Sequence, residues 1–360
     1  MRMTKDLDAQ LKERFCAKPF EFAALSPEGI GSMQCCWLTQ SMGQVNERVP
    51  LQQVWNSPAA QQVRASILDG SYRYCRKDLC PHMHNGDLPL RSTVTDPRLR
   101  RIIDHRLTHL DEGPSVYQLN HDRSCNLACP SCRSELILET SGPAYDRMMK
   151  TLELSLTHQE LLATREISIT GSGDPFASKV YRDFLLNLDG ALYPHLQINL
   201  FTNGVLFDEE MWGKLERIQR NIGHVRISMD GISEEVYRKT RLRGNLERVK
   251  ANVKFLAGLR RQGFFKDLTL CFVVQALNFR DMIPFVAFAR NFPLVAVHFQ
   301  KIYNWGTYPA EHFHLQDVCD ERSPDHHAFL ELLRDPAFDL PGVDLGNLTP
   351  YRERALAKRP

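Results

Sequence analysis

Ser115-Val-Tyr-Gln-Leu-Asn-His121 is followed, four residues on, by Cys125-Asn-Leu-Ala-Cys129-Pro-Ser-Cys132. The first run reads as a short strand, and the second reads as a loop that carries three thiols spaced four and three apart. From there the chain alternates β-branched runs with longer amphipathic segments. The further strand candidates are EISITGSG (166–173), LQINLFTNG (196–204), HVRISMDG (224–231), LTLCFVVQALN (268–278) and LVAVHFQKI (294–302). Between them lie helical stretches such as FDEEMWGKLERIQRN and NLERVKANVKFLAGLRRQG, with apolar residues three and four apart. Alternation of this kind implies right-handed βαβ crossovers and a parallel sheet. Six units are too few to close an eight-stranded barrel, so an α/β fold is expected, as a partial, TIM-like (β/α)6 barrel or an open α/β sheet. Ligands then belong at the C-terminal ends of the strands, where the thiol loop sits.

The rest of the chain fits a water-soluble protein. It has 360 residues, 43% hydrophobic and 24% charged, with a net charge of +2. That balance gives no support for a nucleic-acid or membrane-surface partner. The N-terminus MRMTKDLDAQ lacks the apolar core of a signal peptide, and the most apolar stretch, 282–300, is interrupted by Arg290, Asn291 and two prolines. A cytoplasmic, reducing location is therefore expected, where clustered cysteines bind metal more often than they pair. Residues 1–112 are read as a small Cys-rich module and linker, 113–334 as the α/β core and 335–360 as a tail that wraps the surface. Within the module, LQQVWNSPAAQQVRASILDG reads as one helix ending at Gly70.

Thiolates at 125, 129 and 132 suit an iron–sulfur cluster or zinc. Three clustered thiols leave a fourth metal position open, which favours the cluster. The alternative is a zinc knot completed by His121 or a distant cysteine. Upstream stand Cys16, the pair Cys35-Cys36, Cys75 and Cys80, with His82 and His84 as substitutes if that site holds zinc.

Cys125-x3-Cys129-x2-Cys132 directly after a strand resembles the signature of the radical S-adenosylmethionine (SAM) superfamily. The likeness continues through Ser172-Gly173-Asp174-Pro175, similar to that family's Gly-Gly-Glu-Pro segment, and through Thr202-Asn203-Gly204. It also covers Ser228-Met-Asp230-Gly231, then Tyr237 and Arg241, and finally Gln275 and Asn278. Ser131 stands where many members have an aromatic residue, and Ser and Asp replace a Gly and the Glu of the second motif. The resemblance implies that Cys125, Cys129 and Cys132 hold a [4Fe–4S] cluster. It also implies that Ser172, Gly173, Asp174, Asn203, Ser228, Arg241, Gln275 and Asn278 contact SAM. Reductive cleavage of SAM would yield a 5′-deoxyadenosyl radical that abstracts a substrate hydrogen, with the electron supplied by a partner such as flavodoxin or ferredoxin.

The upstream set resembles the SPASM/twitch modules of the same superfamily. In those, a Cys near a Pro-Phe pair, a Cys after a turn and a final Cys pair after a "WNS…R" helix hold an auxiliary [4Fe–4S] cluster. Cys16, Cys35 (or Cys36), Cys75 and Cys80 match those positions, although such modules usually follow the barrel and this one precedes it. The resemblance implies a radical SAM oxidoreductase or maturase acting on a peptide or protein side chain by oxidation, cross-linking or epimerisation. A carbohydrate or aminocyclitol is the alternative substrate, and a zinc-stabilised binding scaffold without catalysis is the alternative of another class.

Four further features are read conservatively. Cys271, in an apolar strand, is expected to be a small buried hydrophobe. Cys319 reads as a surface thiol, with a hydrogen-donor role as the alternative. His312, His314, His326 and His327 read as solvated or hydrogen-bonded. Asn304-Trp305-Gly306 shapes either a substrate pocket or a packed turn.

Overall fold

Among the described residues, short apolar runs bounded by turn residues become nine strands. In chain order they are β1 (Phe22–Ser26), β2 (Ser32–Met33), β3 (Val116–Leu119), β4 (Glu166–Ile169), β5 (Gln197–Thr202), β6 (Ile222–Ser228), β7 (Asp267–Val274), β8 (Val295–Lys301) and β9 (Val343–Asp344). The structure is a computed structural model. It describes the chain apart from residues 1, 27–31, 34, 36, 47, 79, 85 and 358–360, and apart from the side chains of 2–6, 32, 33, 81 and 84. All six expected strands are present as β3 to β8. Two more parallel strands join them: β1, from the segment read as a module, and β9, from the segment read as a tail. The result is an α/β fold with eight parallel strands that do not close into a barrel, plus β2 antiparallel at one edge.

By internal contacts the chain divides into two units. The first comprises 1–122 and 141–168, and the second 123–140 and 169–360. In the first unit β1 pairs in parallel with β3, from Phe22↔Val116 to Leu25↔Leu119. Its core gathers Phe15, Phe20, Trp55, Tyr72 and Tyr117, all buried. The stretch expected as one helix is two, Leu51–Trp55 and Pro58–Leu68. Pro58 cannot donate to a helix running through it but suits the first turn of a new one. Ser57 caps that turn by accepting from the Ala60 N–H.

In the second unit the order is β5-β6-β7-β8-β9. The helices between these strands open on side chains that satisfy their first free amides. Asp208 accepts from Met211, Ser233 from Val236 and Asn245 from Arg248. β7 alternates strictly: Leu268, Leu270, Phe272 and Val274 are buried, and Phe272 packs against Phe285 and Phe299. Cys271 lies on the opposite face, half-buried, so it is not part of that apolar layer. The final segment contributes β9, registered as Val297↔Val343, and the helix Thr349–Ala357. Among the described residues no helix is long and apolar enough to cross a membrane.

Candidate functional site

The strands end earlier than their apolar runs suggest, because the last residues of each run leave the ladder to build the site. The cysteine loop is held at both ends. Cys125 N–H donates to Ile137 O, and the amides of Cys132 and Arg133 both donate to Cys129 O. Cys125 and Cys129 are buried and Cys132 is half-buried. Burial pushes the Cys125 thiol up to about 12 and raises Cys129 as well.

Each sulfur meets a side-chain N–H donor from a different place. Asn203 Nδ2, just past β5, lies 3.6 Å from Cys125 Sγ and 2.8 Å from Asn126 Oδ1. Arg241 Nη1 lies 3.7 Å from Cys129 Sγ. Arg133 Nη2 lies 3.5 Å from Cys132 Sγ. Such donors stabilise thiolates rather than thiols, so the donor set fits three negatively charged, metal-bound sulfurs. Among the described residues no three His, Cys, Asp or Glu side chains are arranged to hold a single metal ion.

Arg241 is half-buried and Arg243 is exposed, although only one residue separates them in the chain. Arg241 Nη2 sits 2.7 Å from Asp230 Oδ2, with side-chain exposures of 11% and 3%. Burial opposes the guanidinium charge, yet Asp230 and the neighbouring Cys129 hold it above its ordinary value. Asp230 adopts φ 56, a left-handed conformation that asparagine and aspartate tolerate best. Its other oxygen accepts from Val273 N–H at 2.7 Å. Arg241 Nε and the Tyr237 hydroxyl are buried without a partner among the described residues.

The remaining expected contacts fall into two kinds. Asp174 is buried and fully used by the protein. Its carboxylate accepts from Phe176 N–H, Ala177 N–H, Thr202 Oγ1 and Asn203 N–H at 3.0, 3.2, 2.7 and 2.9 Å. It therefore ties the segment after β4 to the end of β5. Asn278 works similarly: its amide nitrogen donates to Asp230 O and Val273 O, and its oxygen accepts from Gln275 N–H. Gln275 Oε1, by contrast, is buried with no partner among the described residues. Gly173 exchanges hydrogen bonds with Thr170 Oγ1, the Ser172 carbonyl accepts from Arg133 Nη2 at 2.5 Å, and Ser228 ends β6 opposite Cys271. The turn after β5 needs Gly204, at φ 77, because a Cβ there would stand 2.8 Å from Ile227 Cγ2.

Three residues carry more of the site than their sequence context suggests. Arg133 directly follows the third cysteine, Asp230 sits inside a motif without an implied role, and Tyr308 lies in the loop after β8. Burial and the nearby Cys129 raise the Tyr308 hydroxyl. Adjacency to a motif is the signal for the first two; nothing in the sequence marks Tyr308. In the same loop Asn304 Oδ1 accepts from the Gly306 and Tyr308 amides and presents Trp305, which is 75% exposed. Cys319 is buried rather than on the surface, near Asp317 and Lys301. The reason is that the flanking acids make local bonds, Asp317 Oδ1 accepting from Cys319 N–H and Asp320 pairing with Arg322.

The upstream cysteines meet in the first unit. Cys16, Cys35, Cys75 and Cys80 line one recess of about 390 Å³, counting its open mouth, with Lys18, Trp37, His82 and Met83. Cys36 and the side chain of His84 lie outside the described residues. The Lys18 amide donates to Cys16, and the His82 and Met83 amides donate to Cys80. Burial pushes the Cys16 and Cys75 thiols up to about 12. The Trp-Asn-Ser…Arg spacing has a structural purpose here. Arg64, fully buried, stacks 4.3 Å over Trp55 and donates to Pro19 O, Asn56 Oδ1 and Thr108 O at 2.9, 3.2 and 2.9 Å.

Comparison with known proteins bears on the second unit above all. Residues 119–274 match the Radical SAM superfamily. A probable GTP 3′,8-cyclase of Methanocaldococcus jannaschii is 25% identical over 169 residues, 46% of this chain and 52% of that protein. The chain thus spans about half the length of that curated relative. Among solved structures, Streptococcus suis SuiB bound to S-adenosylmethionine is 14% identical, with 63% of this chain and 51% of that one covered and a TM-score of 0.41. TYW1 with a lysine–pyruvate adduct bound is 15% identical over 55% and 65% of the two chains, with a TM-score of 0.33. Residues 119–274, with their three-cysteine loop just past the end of β3, are thus similar to the radical SAM superfamily, whose members are enzymes that work with a [4Fe–4S] cluster and SAM.

Proposed function

We propose that the chain is a radical SAM enzyme in which Cys125, Cys129 and Cys132 hold the [4Fe–4S] cluster and the strand ends around them hold SAM. The observation that carries this reading is the set of three sulfurs, each met by its own side-chain N–H donor. When bound, these groups supply one-electron cleavage of the sulfonium and a hydrogen-abstracting 5′-deoxyadenosyl radical. The chain's own residues would divide the work. Gln275 Oε1, Arg241 Nε and the Tyr237 hydroxyl offer buried polar atoms to a polar ligand such as SAM. Asp174 and Asn278 position the loops that carry those atoms. Ser172, Gly173, Asn203 and Ser228 complete the same rim.

In the first unit, Cys16, Cys35, Cys75 and Cys80 are proposed to ligate an auxiliary [4Fe–4S] cluster, supported by their shared recess. The proposed substrate is a peptide or protein side chain. The SPASM-like cysteine pattern supports it, as does the exposed Trp305, which offers a bulky side chain an aromatic surface. A flavodoxin or ferredoxin is the proposed electron donor. The cytosolic location belongs to the same reading, because thiolate ligands need a reducing compartment.

The test is anaerobic reconstitution with iron and sulfide, then dithionite and SAM, with 5′-deoxyadenosine quantified. The wild type should release it and a Cys125→Ala/Cys129→Ala/Cys132→Ala triple variant should not. Zinc bound in place of iron, with no release, would overturn the reading in favour of a scaffold.

A further inference from the structure

The Arg133 guanidinium is buried to 5% exposure, and among the described residues no carboxylate pairs with it. Its hydrogen bonds go to neutral carbonyls and a sulfur: Nη1 to Arg123 O at 2.6 Å, and Nη2 to Ser172 O at 2.5 Å and to Cys132 Sγ at 3.5 Å. A buried cation held only by neutral groups is unfavourable unless an anion lies close by. The Cys132 sulfur is 3.5 Å from Nη2, and Cys125 and Cys129 belong to the same loop. Arg133 is thus placed to neutralise an anionic group that forms only when the sulfurs are ionised and metal-bound. The same Nη2 holds the Ser172 carbonyl, in the segment whose backbone is expected to face SAM.

We propose that Arg133 is a positioning residue that compensates the negative charge of the thiolate-bound cluster and fixes the Ser172-Gly173 segment against it. The proposal rests on the reading of Cys125, Cys129 and Cys132 as cluster ligands. A nearby cation stabilises the reduced, more negative cluster, so removing it lowers the reduction potential.

The experiment is an EPR-monitored redox titration of the reconstituted full chain, as wild type, R133Q and R133K. The signal that changes on adding SAM identifies this cluster. R133Q should take up iron as the wild type does. At a fixed potential its ratio of reduced to oxidised cluster should be about tenfold smaller, equivalent to a fall of about 59 mV, and R133K should recover most of the loss. A fully loaded R133Q with unchanged potential would overturn the proposal. If R133Q fails to hold iron, R133K decides: restored loading supports charge compensation, and failure to restore it overturns the proposal. A wild type that takes up no iron would instead sink the underlying cluster reading.

Discussion

His121, two residues past the end of β3, shows how burial sets chemistry at a single side chain. Its ring is buried against Met148 O, 3.3 Å from Nε2. Burial lowers its pKa from the ordinary 6.5 to about 4, although Asp122 pulls the other way. A histidine with a depressed folded pKa is protonated more readily in the unfolded chain. Its contribution to stability is therefore complete above pH 6.5 and is lost as the pH falls toward 4. Roughly 3 kcal/mol is at stake, because each tenfold loss of proton affinity is worth about 1.4 kcal/mol. Urea titrations across that window should show the gap between wild type and H121Q changing steadily. A gap independent of pH would refute the assignment. The half-exposed Cys132 and the buried Cys125, only seven residues apart, make the same point: spacing places side chains in one loop, and burial alone makes them different.

At the scale of an element, the helix Pro58–Leu68 is legible in sequence as a helix but not as an anchor. Its apolar spacing and Ser57-Pro58 start are local properties, and the break from Leu51–Trp55 follows from proline geometry. That Arg64 would point inward, stack on Trp55 and bind carbonyls of two distant segments was not legible, because arginine is usually a surface residue. Arg64→Ala should leave the Pro19 and Thr108 carbonyls buried without donors, at about 2–4 kcal/mol of stability. Iron analysis gives the specific readout: the variant should lose metal from the Cys16/Cys35/Cys75/Cys80 recess and keep it at Cys125/Cys129/Cys132. Equal loss from both sites would mean general unfolding instead. β7 carries the same lesson for strands. Its alternation predicts one buried face, and Cys271 proves to lie on the other.

For the whole chain, the two sites should load independently, because each is built within one unit. A Cys75→Ala/Cys80→Ala variant should hold one cluster fewer than the wild type and still cleave SAM without substrate. The Cys125→Ala/Cys129→Ala/Cys132→Ala variant should also hold one fewer and release no 5′-deoxyadenosine. A wild type holding only one cluster would refute the auxiliary site.

The sequence by itself determined the strand–helix alternation, the thiol loop after β3 and the order of the site motifs. Each of these depends on residues close together in the chain, where periodicity and spacing act directly. Only the tertiary structure decided that eight strands, not six, run parallel. The two-residue β9 is too short to carry a period, and β1 (Phe-Ala-Ala-Leu-Ser) has neither β-branched residues nor alternation, so both are recognisable only by their pairing with β8 and β3. The same holds for function at Asp174, Asp230 and Arg133. A carboxylate or guanidinium becomes a clamp or a counter-charge only when folding removes water and brings distant donors and acceptors within hydrogen-bonding reach.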